Sequence, residues 1–225
     1  MRIFTLDNID LLHPSVQRMT VIENNEPMIP IVLKDTKLVL DHDVELGYAN
    51  EFIARKSVVD RLKQASLLLP EGLYLLIKET YRPKSFQTFI YNRRLIKLLC
   101  LQENENLTST QIHKLTAEYI APPNVAGHPT GGAVDVSLID KSGKEIDFGC
   151  KYDDDATISN GKCYSFFTDL PANVRKNREL LFSCMESAGF VNYPFEWWHW
   201  SYGDKYWASI SGAPHAIFSA VDLGK

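Results

Sequence analysis

Cysteine is scarce in this chain. Its 225 residues include four cysteines, which is too few for the disulfide framework of a small secreted domain. No two of them form a C-x-x-C motif, so their spacing argues against a zinc knuckle and against a thioredoxin-like site. Cys150 and Cys163 flank a polar segment and are the two that could pair, although free thiols are the simpler expectation for all four: Cys100, Cys150, Cys163 and Cys184.

The chain also lacks an excess of positive charge and a long apolar run. Lys and Arg number 24 against 28 Asp and Glu, which gives a formal net charge of −4. Nucleic-acid binding and docking on anionic membranes both depend on a basic surface, so neither partner is expected. No segment is long and apolar enough to span a membrane, and the N terminus reaches Asp7 and Asp10 without the apolar stretch of a signal peptide. We therefore expect a cytoplasmic protein; its oligomeric state has no signature in the sequence.

What the chain does have is material for one large core. It contains 11 Phe, 10 Tyr and 4 Trp, and 45% of its residues are hydrophobic. This composition is typical of a folded globular domain and argues against disorder. No internal repeat, low-complexity tract or Gly/Ser linker interrupts the sequence. We therefore expect a single domain over residues 1–225.

Helical and strand patterns alternate along the chain. Thr108 and Gln111 form a capping box that opens a helix, and Val134, Val136 and Leu138 alternate as the buried face of a strand does. We predict helices, the first of them capped by Asn50, over residues 50–69, 86–101, 108–119 and 171–188. We predict strands over residues 30–33, 37–40, 73–80, 133–139, 145–148, 190–193 and 197–202. This order indicates an α+β fold with a small central, mostly antiparallel sheet flanked by helices.

Two segments carry residues that packing alone does not explain. The first contains His128 and Asp135, and the second contains Glu196 and His199. A catalytic zinc site uses three protein ligands and leaves a fourth position open, and two imidazoles with one carboxylate are a suitable set. His128 and Asp135 are seven residues apart, so a single regular strand would put them on opposite faces. They can converge only if His128 lies on the loop before the strand.

Each of these residues also has a simpler explanation. A single histidine in a loop is usually a surface residue, and we assign that role to His13, His42, His113 and His215. Arg82 follows a predicted strand and precedes a helix. It is a surface arginine, or an arginine that pairs with Glu79, or a fixed cation that stabilises negative charge developing in a reaction.

Taken in order, these elements resemble a known family. Arg82 before a proline, the His128-x6-Asp135 segment and the Glu196-x-x-His199 segment are similar to the VanX-type D-alanyl-D-alanine dipeptidases. These are zinc metallopeptidases related to D,D-carboxypeptidases and to Hedgehog-type zinc domains, and the resemblance covers about residues 49–202. It implies one zinc ion per chain with His128, Asp135 and His199 as ligands. It also implies Glu196 as the catalytic base and Arg82 as the cation that stabilises the transition state.

The same resemblance points to a substrate-binding residue and to one departure. The segment that ends in Asp153 is similar to the family segment whose aspartate binds the substrate ammonium. Asp154 and Asp155 would take this role if the alignment shifted, and a solvated acidic loop is the alternative. Ala126 stands where the family usually has a serine that helps to hold the amino end of the substrate.

The function implied by the resemblance is zinc-dependent hydrolysis of the dipeptide D-alanyl-D-alanine to two D-alanines. One alternative is a D,D-carboxypeptidase that trims peptidoglycan stem peptides. Another is a non-catalytic, zinc-stabilised binding module. Glu196 and Arg82 favour an enzyme, because a structural zinc site needs neither residue.

Overall fold

Five strands form the central sheet of the computed structural model, which describes residues 10–223. The strands run β2 (Leu38–Leu40), β4 (Leu73–Glu79), β5 (Ala133–Asp140), β7 (His199–Ser201) and β6 (Val191–Asn192) across the sheet. The β2–β4 pair is parallel and the other three pairs are antiparallel. The predicted α+β class with a mostly antiparallel sheet is therefore confirmed. Two further strands, β1 (Met28–Pro30) and β3 (Ile53–Arg55), form a separate antiparallel pair.

Six α-helices surround the sheet within the described residues. They are α1 (Pro14–Gln17), α2 (Lys56–Leu67), α3 (Lys84–Leu99), α4 (Ser109–Ala117), α5 (Ala172–Ser187) and α6 (Lys205–Ser211). The predicted capping box at the start of α4 is present, since the Thr108 hydroxyl accepts from Gln111 N while the Gln111 side chain accepts from Thr108 N. None of the described helices is long and apolar enough to cross a membrane.

Strand β5 separates the hydrophobic core from the functional face of the sheet. Val134, Val136 and Leu138 are fully buried members of the main core, together with residues of α2 and α5 such as Leu62 and Leu181. Because side chains alternate along a strand, Asp135 points to the opposite face. That face is also covered, so Asp135 is only 3% exposed. The sheet thus presents a carboxylate in a protected environment.

Several predicted element boundaries are wrong. The helix predicted from residue 50 begins only at Lys56, because residues 53–55 pair with β1 as β3. Asn50 does not cap it: the Asn50 amide donates to Lys78 O, and its carbonyl accepts from Phe52 N. The strand predicted at 145–148 is reduced to one bridge between Ile139 and Glu145. Helix α6 was not predicted.

Two other sequence expectations concern the cysteines and the N terminus. All four cysteines are free thiols, so Cys150 and Cys163 are not paired. Residue Asp7, on which the absence of a signal peptide partly rested, lies outside the described residues. The single domain over residues 1–225 stays a prediction.

Candidate active site

Three predicted ligands meet where β5 and β7 pair. The strand register places Asp135 directly opposite His199, and His128 lies in a short 3₁₀ turn, His128–Thr130, that leads into β5. Asp135 Oδ1 lies 3.0 Å from His199 Nδ1 and 3.3 Å from His128 Nε2. Among residues 10–223, these three form the only group of histidine, cysteine or acidic side chains arranged to hold a metal ion, with ligand atoms within 4.8 Å of one another. His128 and Asp135 converge in spite of their seven-residue spacing because His128 lies on the turn before the strand, as predicted.

Glycines allow this turn to form. Gly131 ends it in the left-handed region with φ +71°, which a residue with a Cβ adopts only with strain. A Cβ on Gly132 would lie 2.5 Å from the Tyr202 carbonyl oxygen, so the backbone can approach the residue that follows β7 because no side chain is present. Glycine at these two positions therefore permits the turn that carries His128.

The hydrogen bonds of His128 leave one ring nitrogen available to a cation. Its Nδ1 donates to the Thr80 carbonyl at 2.6 Å, and since a carbonyl only accepts, the neutral ring carries no hydrogen on Nε2. Nε2 is buried without a hydrogen-bond partner. A lone pair that faces a carboxylate in a buried site is unfavourable unless a cation lies between them. The residues present therefore fit a metal ion.

The charges around Asp135 also favour a cation. Burial raises the pKa of the Asp135 carboxyl, but His128 and His199 outweigh this effect and hold that pKa well below its usual range. Burial lowers the pKa of His128, but Asp135 and Glu79 reverse the sign and leave the pKa raised. The pKa shifts of Asp135 and His128 both indicate that positive charge beside the buried carboxylate is favourable. A proton or a metal ion can supply that charge.

A β-bulge brings Glu79 and Arg82 to the same face. The β4–β5 register shifts between Ile77 and Glu79, so that Glu79 lies opposite Asp135 instead of pointing into the core with Ile77. Arg82 donates from Nε and Nη2 to the two Glu79 oxygens, both at 2.6 Å, and from Nη1 to the buried Gln87 side chain at 2.8 Å. Arg82 therefore pairs with Glu79, as one alternative held, and it also lines the pocket of the three ligands.

Glu196 lies on the bend that precedes β7. Its backbone N–H donates to Tyr193 O, and its carbonyl accepts from His199 N. Hydrogen bonds to the residues before and after it therefore fix the backbone of the bend. Its Oε2 lies 3.9 Å from His199 Nδ1. Burial, followed by the nearby carboxylates of Asp135 and Asp153, raises the pKa of Glu196 well above its ordinary value. A carboxylate with this affinity for protons suits an acid–base role.

Asp153 is the member of the acidic run that faces the pocket. Its backbone is in the left-handed region at φ 66°. The Tyr119 hydroxyl lies within hydrogen-bond distance of both the Asp153 backbone carbonyl and Asp153 Oδ1, the latter at 2.8 Å. Asp153 is exposed at the edge of the pocket, yet partial desolvation of its carboxyl by the surrounding protein raises the pKa of Asp153 to about 6, with the Tyr119 hydrogen bond opposing the effect and Asp135 adding to it. Asp154 and Asp155 instead accept backbone N–H groups within their own loop. Of the three acids, Asp153 alone lines the pocket formed by the described residues.

Sequence reasoning missed the residues that support these side chains. Tyr48 donates to Glu79 Oε1 at 2.6 Å, and Tyr152 donates to Asp135 Oδ2 at 3.0 Å. Tyr48 lies in a loop with no motif, so no signal marked it. Tyr152 directly precedes Asp153 in the segment that resembles the family, and this adjacency was an available signal.

Comparison with known proteins identifies the family of this chain. Residues 33–217 match the model of the peptidase M15 family, described as D-ala-D-ala dipeptidase. This chain belongs to that family. It is 31% identical over 208 residues to a D-alanyl-D-alanine dipeptidase of Synechocystis, covering 81% of this chain and 84% of the relative. It is 26% identical over 138 residues to that of Escherichia coli K12, covering 61% and 59%.

A solved structure of the vancomycin-resistance D,D-pentapeptidase VanY, in complex with Zn(II), aligns with 84% of this chain and 90% of its own. The TM-score is 0.44 and the identity is 16%. The predicted resemblance and the predicted peptidase class are confirmed by the family match.

Proposed function

We propose that this M15 peptidase hydrolyses D-alanyl-D-alanine to two molecules of D-alanine, with one zinc ion per chain. The observation that carries the proposal is the convergence of His128, Asp135 and His199 in one buried pocket that Glu196 and Arg82 also line. The names of the relatives supply the substrate. A small dipeptide is accordingly the proposed partner of the site.

His128, Asp135 and His199 would hold the zinc ion. Two nitrogens and one oxygen are a donor set typical of catalytic zinc, which leaves a coordination position for water or substrate. When bound, zinc polarises the peptide carbonyl and makes a water molecule more acidic. The Thr80 carbonyl fixes the His128 ring through its Nδ1 hydrogen bond, so the ligand nitrogen Nε2 is set before the metal arrives.

Glu196 is the proposed general base. Its carboxylate lies beside His199 at the edge of the ligand group, within the same pocket. It would accept a proton from the attacking water and pass a proton to the leaving amine. The raised pKa of Glu196 brings its proton affinity closer to those of the attacking water and the leaving amine. This favours proton transfer from the water to Glu196 and from Glu196 to the amine.

Arg82 is the proposed stabiliser of the oxyanion that forms when water attacks the carbonyl. Three of its N–H groups are occupied by Glu79 and Gln87, so the guanidinium is held in place with donors to spare, since an arginine has five. A donor that is fixed before the reaction does not have to reorganise in the transition state. The Glu79 carboxylate therefore serves to orient Arg82.

Asp153 is the proposed partner of the substrate ammonium. Ala126 is buried and lines the pocket without a hydroxyl, so this chain lacks the hydrogen bond that the family serine would provide. Asp153 with its Tyr119 hydrogen bond would carry amine recognition alone. An N-terminally extended peptide has an amide in place of the ammonium and would leave this carboxylate unpaired, which disfavours longer substrates.

The test is a release assay with three substrates. We expect D-alanine from D-Ala-D-Ala and far slower release from L-Ala-L-Ala and from a tripeptide that ends in D-Ala-D-Ala. Preferential cleavage of the tripeptide would favour the D,D-carboxypeptidase alternative. No hydrolysis of any substrate by the zinc-loaded chain would contradict the proposal and favour the binding module. A cytoplasmic location stays a prediction.

A further inference from the structure

Tyr152 contacts the proposed metal ligand on the side away from the histidines. Its hydroxyl lies 3.0 Å from Asp135 Oδ2, whereas Oδ1 faces His128 and His199. The same hydroxyl lies 3.4 Å from Glu79 Oε2. The ring packs edge-on against Trp198 at 5.5 Å between centroids. One phenol thus lies between the ligand group and the Glu79–Arg82 ion pair.

We propose that Tyr152 is a positioning residue for the metal centre, which holds Asp135 so that a single oxygen, Oδ1, is offered to the metal. The inference rests on the proposed ligand set of His128, Asp135 and His199. It adds a determinant of metal affinity and coordination geometry that lies outside the ligands.

The Tyr152 hydroxyl donates its hydrogen bond to Asp135 and not to Glu79. Glu79 already accepts two hydrogen bonds from Arg82 and one from Tyr48, all at 2.6 Å. Its contact with Tyr152 is longer, at 3.4 Å, than the 3.0 Å contact of Tyr152 with Asp135. A phenol has one proton to donate. The hydroxyl therefore donates to Asp135 Oδ2, and among the described residues it is the donor that this oxygen has.

Removal of this donor has a specific consequence for a carboxylate ligand. With Oδ2 free, the carboxylate can rotate and share both oxygens with a metal, and the buried oxygen loses its hydrogen bond. Partners of this kind that lie behind a ligand typically change metal affinity about 10–100-fold when removed. Tyr152→Phe keeps the ring and its packing on Trp198, so it isolates the hydroxyl.

The chain offers a matched control. Tyr48 also donates a phenol hydrogen bond to Glu79, but its hydroxyl contacts Glu79 and the Tyr81 carbonyl and not a proposed ligand. Tyr48→Phe should lower kcat through a less well-held Arg82 and leave metal affinity unchanged. A third variant, Tyr152→Leu, removes both ring and hydroxyl and shows whether the ring alone accounts for the effect.

The experiment measures zinc affinity by competition with a chelator, and the visible spectrum of the Co²⁺-substituted protein, for wild type and the three variants. Thermal unfolding of each metal-free variant accompanies both measurements. We expect Tyr152→Phe to bind zinc about 10–100-fold more weakly and to shift the Co²⁺ bands, while Tyr48→Phe matches wild type in both. Wild-type affinity and spectrum in Tyr152→Phe, or an effect in Tyr152→Leu alone, would overturn the inference and leave the ligand set intact. A wild-type chain that binds no metal would overturn both.

Discussion

Arg178 of helix α5 holds the loop that carries Tyr152 and Asp153, and we expect its replacement to destabilise the protein. The side chain is 5% exposed and donates hydrogen bonds to the carbonyls of Phe148, Lys162, Tyr164 and Ser165. These bonds use all of its donors, since a guanidinium has five N–H groups. The loop backbone thus depends on one side chain for several of its buried acceptors.

The magnitude follows from the burial of these bonds. Three of them, two to Phe148 O and one to Ser165 O, lie in fully buried surroundings. At about 1.5 kcal/mol for each bond from a charged donor, Arg178→Met should lose about 4–5 kcal/mol, and release of the buried charge offsets part of this. We expect the free energy of unfolding to fall by about 3–4 kcal/mol, a large fraction of a typical total of about 5–15 kcal/mol.

The assay is urea unfolding of Arg178→Met beside two companions. Arg178→Lys keeps a charge and up to three donors, so it should lie between wild type and Arg178→Met. Arg175→Met is the matched control on the same helix, because Arg175 is exposed and donates a single bond, to Leu170 O. It should cost less than about 1 kcal/mol. The KM for dipeptide should rise in Arg178→Met, because Asp153 loses its support. A loss below about 1 kcal/mol in Arg178→Met would refute this account of the loop.

Three further predictions concern the substrate, the metal and acid stability. Asp153→Ala should raise the KM for the dipeptide and leave zinc content near wild type, whereas wild-type kinetics would move the ammonium site to another residue. His199→Ala should lose zinc and activity together in metal analysis and rate assays; retained zinc would remove His199 from the ligand set. For Glu23, burial raises the carboxyl pKa, but hydrogen bonds from Ser219, with a smaller contribution from Arg55, outweigh this and leave it lowered. The stability that Glu23 contributes is therefore present above its unfolded pKa of about 4.5 and lost as pH falls through the lower folded pKa. The difference in unfolding free energy between wild type and Glu23→Gln should shrink between pH 7 and pH 3, and a constant difference would contradict this.

The turn that brings His128 to Asp135 could be predicted from the sequence alone, because it depends only on neighbouring residues. The odd spacing of His128 and Asp135 required a turn, the glycines after His128 permitted it, and the structure has that turn. The meeting of Asp135 with His199 depends on strand register across 64 residues. Spacing contains no information on such a register, and only the resemblance to a family placed the two together.

The supporting residues could not be predicted for physical reasons of the same kind. The orientation of Glu79 depends on a bulge that exists only because β4 pairs with β5, and a single sequence does not reveal which residue is bulged. Strand β3 was missed because residues 53–55 are extended through pairing with β1 and not through strong strand propensity of their own. The bulge at Glu79 and strand β3 therefore depend on long-range pairing. The capping box of α4, in contrast, could be predicted from two nearby residues.

The central claim, that Glu196 is the base of a zinc peptidase, is tested most directly by Glu196→Gln. The amide keeps the volume of the side chain beside His199 but cannot accept a proton. Zinc content, measured by metal analysis, should stay near one per chain while kcat for D-Ala-D-Ala falls by about 10²–10⁴-fold, the usual contribution of a positioned general base. Loss of zinc would make Glu196 a ligand, and full turnover with zinc retained would place the base elsewhere; either result contradicts the account.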